Sequence, residues 1–215
     1  MPAIPADEQA PARQRLSADD RRLAIIAAAR TLFARNGFHG TGTSDIAAAA
    51  GCSEPVIYKH FASKHALFAA VLEDSTRIMH DKFAAAGEGE GGRFDAYLRF
   101  VRGLSGDSKV AELSRLRYLA LTLTADPEIR ASLAAMVAQW QANVRLAVED
   151  ARATGRIRQD ADVESVAMLF FGLAQAAGFM TAVEGEGALA CFPRHFDALV
   201  DLLTPQQGGA PWPKS

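Results

Sequence analysis

Cysteine is scarce in this 215-residue sequence, which holds two, Cys52 and Cys191, far apart and without CxxC spacing. That argues against a disulfide framework or a zinc site, and a reducing cytoplasm suits such a chain best. Strand signals are scarce too, whereas helical spacing recurs throughout, so the expected fold class is all-α. No glycine-rich phosphate loop, nucleophile elbow or HxxxH metal pair is present, which removes the common enzyme classes and leaves no cofactor or metal to expect. His80 with Asp74 and Asp81 reads as a solvated helix face rather than a metal site. Met1 to Ala18 carries Pro2, Pro5 and Pro11 but no apolar stretch, so it reads as a disordered arm, not a signal peptide.

Bulk charge is also small, at −2, but it is unevenly spread. From Arg21 to His65 six basic residues face two acidic ones, a net of +4; from Ala66 onward 15 basic residues face 19 acidic ones, a net of −4. A basic module joined to an acidic one is implied, and the basic module suits phosphate. One uncharged run, the 19 residues from Ser165 to Val183, meets the length rule for a membrane span. It lacks a flanking positive cluster or aromatic belt, and Gly172, Ala174, Ala176 and Gly178 set small residues at four-residue steps. A buried oligomer helix is the better reading, with no membrane partner.

The periodicity predicts a first helix from residue 18 or 19 to Asn36, capped by Ser17 and stopped by Gly37. A short helix follows over about 43–50, a second begins after Ser53, and Ser63 caps a long fourth one. Gly87 to Gly92 (GEGEGG) reads as a linker too polar to pack. Further helices are expected over about 93–104, 108–125, 127–154, 162–183 and 193–203, then a disordered tail. The domain division expected is 1–18 arm, 19–66 DNA-binding helix-turn-helix, 67–204 helical regulatory and dimerisation domain, and 205–215 tail.

Two short helices joined by Gly51, Cys52 and Ser53 cannot bury themselves, so they must pack on the long helices around them. Ser53 at the N-cap and Pro55 in the first turn specify where the second one starts. A rigid helix N-terminus bearing polar and basic side chains is what entry into a DNA major groove requires.

Four segments in order carry a resemblance: IIAAARTLFARNGF from Ile25, TGTSDIA from Thr41, GCSEPVIYKHF from Gly51 and SKHAL from Ser63. They resemble the DNA-binding domain of the TetR family of transcriptional regulators over about 50 residues. The resemblance implies a homodimeric regulator, a repressor in the usual case, that binds a double-stranded, pseudo-palindromic operator and is released by a small effector. It implies DNA-backbone contacts from Tyr58 and His60, a further contact from Lys64, and phosphate or base contacts from Thr41, Thr43 and Ser44. Lys59 is the expected base reader, because lysine donates to guanine O6 and N7. Ser53, Glu54, Pro55 and Val56 complete the expected DNA face, although three of them leave the family pattern. Glu54 either accepts from cytosine N4 or points away, and Val56 can touch a thymine methyl. Arg13 and Arg15 read as part of a solvated tail. A different class, a helical adaptor whose helix-turn-helix no longer binds DNA, stays open on the strength of Glu54 and the modest charge.

The second half is similar to the family only in overall plan. Phe100, Met136, Gln139, Trp140, Asn143, Phe170, Phe171 and Gln175 are the candidate effector-binding residues, for a mostly hydrophobic or aromatic molecule with few charges. Phe170, Gly172, Ala176, Phe179, Phe192, Phe196, Leu199, Val200 and Leu203 are the candidate dimer face.

Overall fold

The computed structural model describes residues 17–104, 107–184 and 192–205, and no strand occurs among them. Expectations for the arm before Ser17 (with Arg13 and Arg15), for Cys191 and for the tail after Pro205 lie outside the described residues. Helix α1 (Ala18–Asn36) begins as expected: the Ser17 hydroxyl accepts from the Asp20 backbone N–H, and Asp19 and Asp20 sit at the positive end of the helix dipole. Gly37, at φ 75, ends it in a conformation that side-chain-bearing residues avoid.

Helices α2 (Thr43–Ala49) and α3 (Glu54–His60) follow, then α4 (Lys64–Gly87), whose first turn is capped by Ser63 accepting from Ala66. Ser53 stands at the α3 N-cap with extended backbone, but its side chain makes no capping bond. The start of α3 rests on Pro55 in the first turn and on Glu54, which accepts from the Thr43 hydroxyl of α2.

Helices α5 (Arg93–Gly103), α6 (Ser108–Leu121), α7 (Pro127–Ala153), α8 (Val163–Glu184) and α9 (Phe192–Leu203) build the second half. Helix α6 stops four residues earlier than its periodicity predicts, because 122–125 turns toward Asp126, which caps α7 through Glu128 and Ile129. Gly87 to Gly92 is not the loose linker expected. Gly87 closes α4, and Arg99 donates to the carbonyls of Ala86 at 2.9 Å and Glu90 at 2.6 Å. Asp150 of α7 accepts from the Phe94 N–H at 3.1 Å, so the connection is tied to two helices.

Two apolar cores result. The first joins α1, α2, α3 and the start of α4 to α6 and the start of α7, with Phe33 and Phe68 edge to face at 5.1 Å. Each such ring contributes about 1.5–3 kcal/mol by leaving water. The second joins α5, α7, α8 and α9 around Phe94, Tyr97, Phe170 and Phe196. Between α1 and α4, the Arg30 guanidinium pairs with the buried carboxylate of Asp74, which Arg77 also meets. Asp74 is therefore not on a solvated face as expected, and no metal-ligand cluster occurs among the described residues.

Candidate nucleic-acid interface and cavity

The α2–turn–α3 unit is held from beneath by Ile46, Ala47 and Ile57, all buried, and from the side by Arg21. That arginine of α1 donates to the carbonyls of Ala50 (3.1 Å) and Gly51 (3.3 Å), closing the α2 C-terminus. Sequence reasoning missed it, since a charged residue on a long helix carries no local sign of its partner.

What this leaves at the surface is a short polar edge. Ser44, Ser53, Pro55, Tyr58 and Lys59 are exposed, and His60 and Lys64 are half-buried. The Tyr58 hydroxyl lies 3.4 Å from that of Thr43. Lys64 holds its ammonium 4.6 Å from the centre of the Phe38 ring, and burial lowers its pKa. Val56 packs partly against the core, with only a portion of its surface open.

Two expectations change on this face. Thr41 is buried, and its hydroxyl donates to the carbonyls of Leu32 (3.2 Å) and Gly37 (2.8 Å), so it locks the end of α1 instead of meeting DNA. Glu54 is committed within the motif to Thr43, which ties α2 to α3 and leaves less of its carboxylate facing outward.

A cavity of about 90 Å³ lies among α4, α5, α6, α7 and α8. Of the candidate effector residues, Phe100, Met136, Trp140, Phe171 and Gln175 line it. Three do not. Gln139 is exposed on the far side of α7, Asn143 is half-buried outside the lining, and Phe170 faces the second core against Phe94, Tyr97 and Phe196. The Trp140 and Phe100 rings stack at 5.2 Å with Phe83 edge-on to both, forming an aromatic wall. Tyr97 is fully buried, donates to the Phe170 carbonyl at 3.4 Å, and burial pushes its phenol pKa up.

Arg117 of α6 also lines the cavity and was not anticipated. Its guanidinium occupies the space beside Gly178, so that small residue admits a side chain of the same chain rather than a neighbouring helix. The signal lay in register: residues 110, 113, 114 and 117 share one face of α6, and the first three are buried.

The outer face of α8 is apolar and open. Met168, Leu169, Gly172, Ala176, Phe179 and Val183 are exposed along it, and the four large α8 residues are 52–66% exposed. By length and hydropathy α8 alone among the described helices is able to cross a membrane; here it packs along α6, α7 and α9. The expected dimer face is corrected in three places. Phe170, Phe192 and Phe196 are buried in their own chain, where Phe170 and Phe196 stack at 6.0 Å. Leu199, Val200 and Leu203 lean on the same core and are half-buried. Gly172, Ala176 and Phe179 lie on the open face, beside the unforeseen Met168, Leu169 and Val183.

A helix-turn-helix with a polar leading edge, resting on a helical body that encloses a cavity, defines a DNA-binding regulator rather than an enzyme. Comparison with known proteins agrees. The family described as bacterial regulatory proteins, tetR family, matches residues 25–71, and the tetracyclin repressor-like C-terminal domain matches residues 124–192. The helix-turn-helix-type transcriptional regulator TtgR of Pseudomonas putida is 30% identical over 166 residues, covering 74% of this chain and 79% of TtgR. The transcriptional activator FasR of Mycolicibacterium smegmatis is 46% identical over 59 residues, 27% of each chain. In fold, the TetR-family regulator of Cytophaga hutchinsonii superposes with a TM-score of 0.75 at 18% identity, over 90% of this chain and all of that one. This chain belongs to the TetR family of transcriptional regulators.

Proposed function

We propose that the protein is a cytoplasmic, homodimeric repressor that binds a pseudo-palindromic operator and leaves it when a small, mainly hydrophobic effector fills the cavity. Residues 19–66 act as the DNA-binding unit and 67–204 as the regulatory and dimerisation unit. The observation that carries this reading is the double attachment of α6. On one face Glu112 accepts from Thr31 of α1 at 3.0 Å and lies 3.6 Å from Arg30. Within about a turn and a half of it on the same helix, Val110, Leu113, Ser114 and Arg117 line the cavity. A ligand that displaces α6 therefore acts on the helix that supports the DNA-reading unit, the kind of two-state element that coupling requires.

On DNA, Tyr58, His60, Thr43, Ser44 and Lys64 position the protein on phosphate, and Lys59 reads a base from the α3 edge beside Ser53, Pro55 and Val56. Two copies joined through α8 present two such edges, so the half-sites lie about 34–36 Å or a multiple apart. Glu54, held by Thr43, is a framework residue of the motif and not a reader.

The test is nuclease footprinting on DNA flanking the protein's own gene, followed by a reporter assay. Wild type is expected to protect a paired site, with affinity falling steeply as salt rises. Lys59→Ala should lose roughly 1–3 kcal/mol and relax specificity at one position, while Tyr58→Ala weakens all sites alike. Absence of site-specific protection there or genome-wide would sink the proposal. Reporter output that falls on deletion of the gene would make the protein an activator.

A further inference from the structure

Arg117 stands out among the cavity residues. Its Nε is buried without a hydrogen-bond partner, and no carboxylate among the described residues pairs with it. Its remaining contacts are weak ones with the neighbouring Tyr118: a 3.4 Å bond from Nη2 to the hydroxyl and a 5.1 Å approach to the ring centre. The described residues that line the cavity include no acid. A guanidinium turned toward an apolar cavity without a counter-ion loses hydration and recovers little of it. An anion entering there regains that loss, and a carboxylate does so best, since its two oxygens match the fork of guanidinium N–H donors.

From this we infer that the effector is a hydrophobic monocarboxylic acid, its carboxylate on Arg117 and its apolar part against Phe100, Trp140 and Phe171. The inference rests on the effector reading above and narrows it, replacing a molecule of few charges by one with a single negative charge. A dianionic phosphate fits poorly. Apart from Arg117, the polar side chains of the lining are Ser75, whose hydroxyl is already given to the Val71 carbonyl, Tyr97, whose hydroxyl is given to the Phe170 carbonyl, Trp140, Ser114 and Gln175. None of these is a cation, so a second negative charge would be buried without a partner. Size narrows the choice as well. The cavity, at about 90 Å³, is smaller than the roughly 150 Å³ void that accepts benzene, so a short apolar part fits best.

Calorimetric titration of the full-length protein with butanoate and pentanoate, against butanol and pentanol, tests the inference. The acids are expected to bind wild type about tenfold or more tighter than their alcohols. Arg117→Met should abolish that preference while leaving the alcohols bound, and Arg117→Lys should keep part of it. If Arg117→Met does not fold, the comparison of acid and alcohol on wild type and Arg117→Lys still decides. Equal binding of acid and alcohol to wild type overturns the acid assignment but leaves a hydrophobic effector site standing. A preference that survives in Arg117→Met overturns the role of that residue. Binding of neither class overturns both the inference and the effector reading on which it rests.

Discussion

Asp107 does two things at the start of α6. Its carboxylate accepts from the Lys109 backbone N–H at 2.9 Å, capping the helix, and from the Lys82 ammonium at 2.5 Å, fastening α6 to α4. Burial alone would raise its pKa, but the bond from Lys82, the Lys109 and Val110 amides and the lysine charge outweigh burial and hold it below the ordinary 3.8. A carboxyl with a depressed folded-state pKa adds stability above its unfolded value and loses it as pH falls through the folded one. Asp107→Asn keeps a capping oxygen but loses the ion pair, so it should be less stable than wild type at pH 5, and the gap should narrow as pH drops below 3.8. Urea midpoints at both ends of that range check this; a gap that ignores pH would place the stabilisation elsewhere. Asp107→Ala loses the cap as well, at about 1 kcal/mol.

Helices α1 and α4 are joined by a charge network whose members are unequal. The Arg30 and Asp74 side chains are 13% and 8% exposed, whereas Arg77, the second partner of Asp74, is 59% exposed. Removing one partner of a buried pair strands the other; removing an exposed partner changes little. Arg30→Ala should therefore destabilise by about 3 kcal/mol and Arg77→Ala by less than about 1 kcal/mol in denaturant titrations. Similar losses in both variants would show that the pair is more hydrated than its burial implies. Because Arg30 also lies near Glu112 of α6, under the proposed coupling its loss should weaken the effector's action on operator binding along with stability.

At the scale of the whole molecule, the proposed dimer rests on the open face of α8. Met168, Gly172, Ala176, Phe179 and Val183 repeat at steps of four, four, three and four, a single helical stripe left apolar toward solvent. Ala176→Glu tests its use cleanly, since a carboxylate there is solvated in a lone chain and desolvated in a dimer built on this face. Light scattering should then report half the wild-type mass, with helical content retained and operator affinity sharply reduced. A variant that keeps the dimeric mass would move the interface elsewhere.

Helix positions and the turn unit were legible in the sequence because their causes are local. Ser17, Ser63 and Asp126 accept from N–H groups within three residues, Gly37 supplies a positive φ, and Pro55 and Pro127 open helices where no donor is needed. The direction in which each side chain points was not legible, because helical period assigns a face but not a partner. Phe170 and Met168 sit two residues apart on one uncharged helix, yet the first stacks on Phe196 of its own chain and the second faces out. Thr41, a hydroxyl in a DNA-binding motif, is spent on α1 carbonyls nine and four residues away. Arg117, a charge on an amphipathic helix, becomes a cavity residue only because Gly178 of α8 leaves space beside it. Short-range hydrogen bonding and backbone sterics are thus written along the chain, while the burial that creates the polar edge, the cavity and the open face exists only once the helices meet.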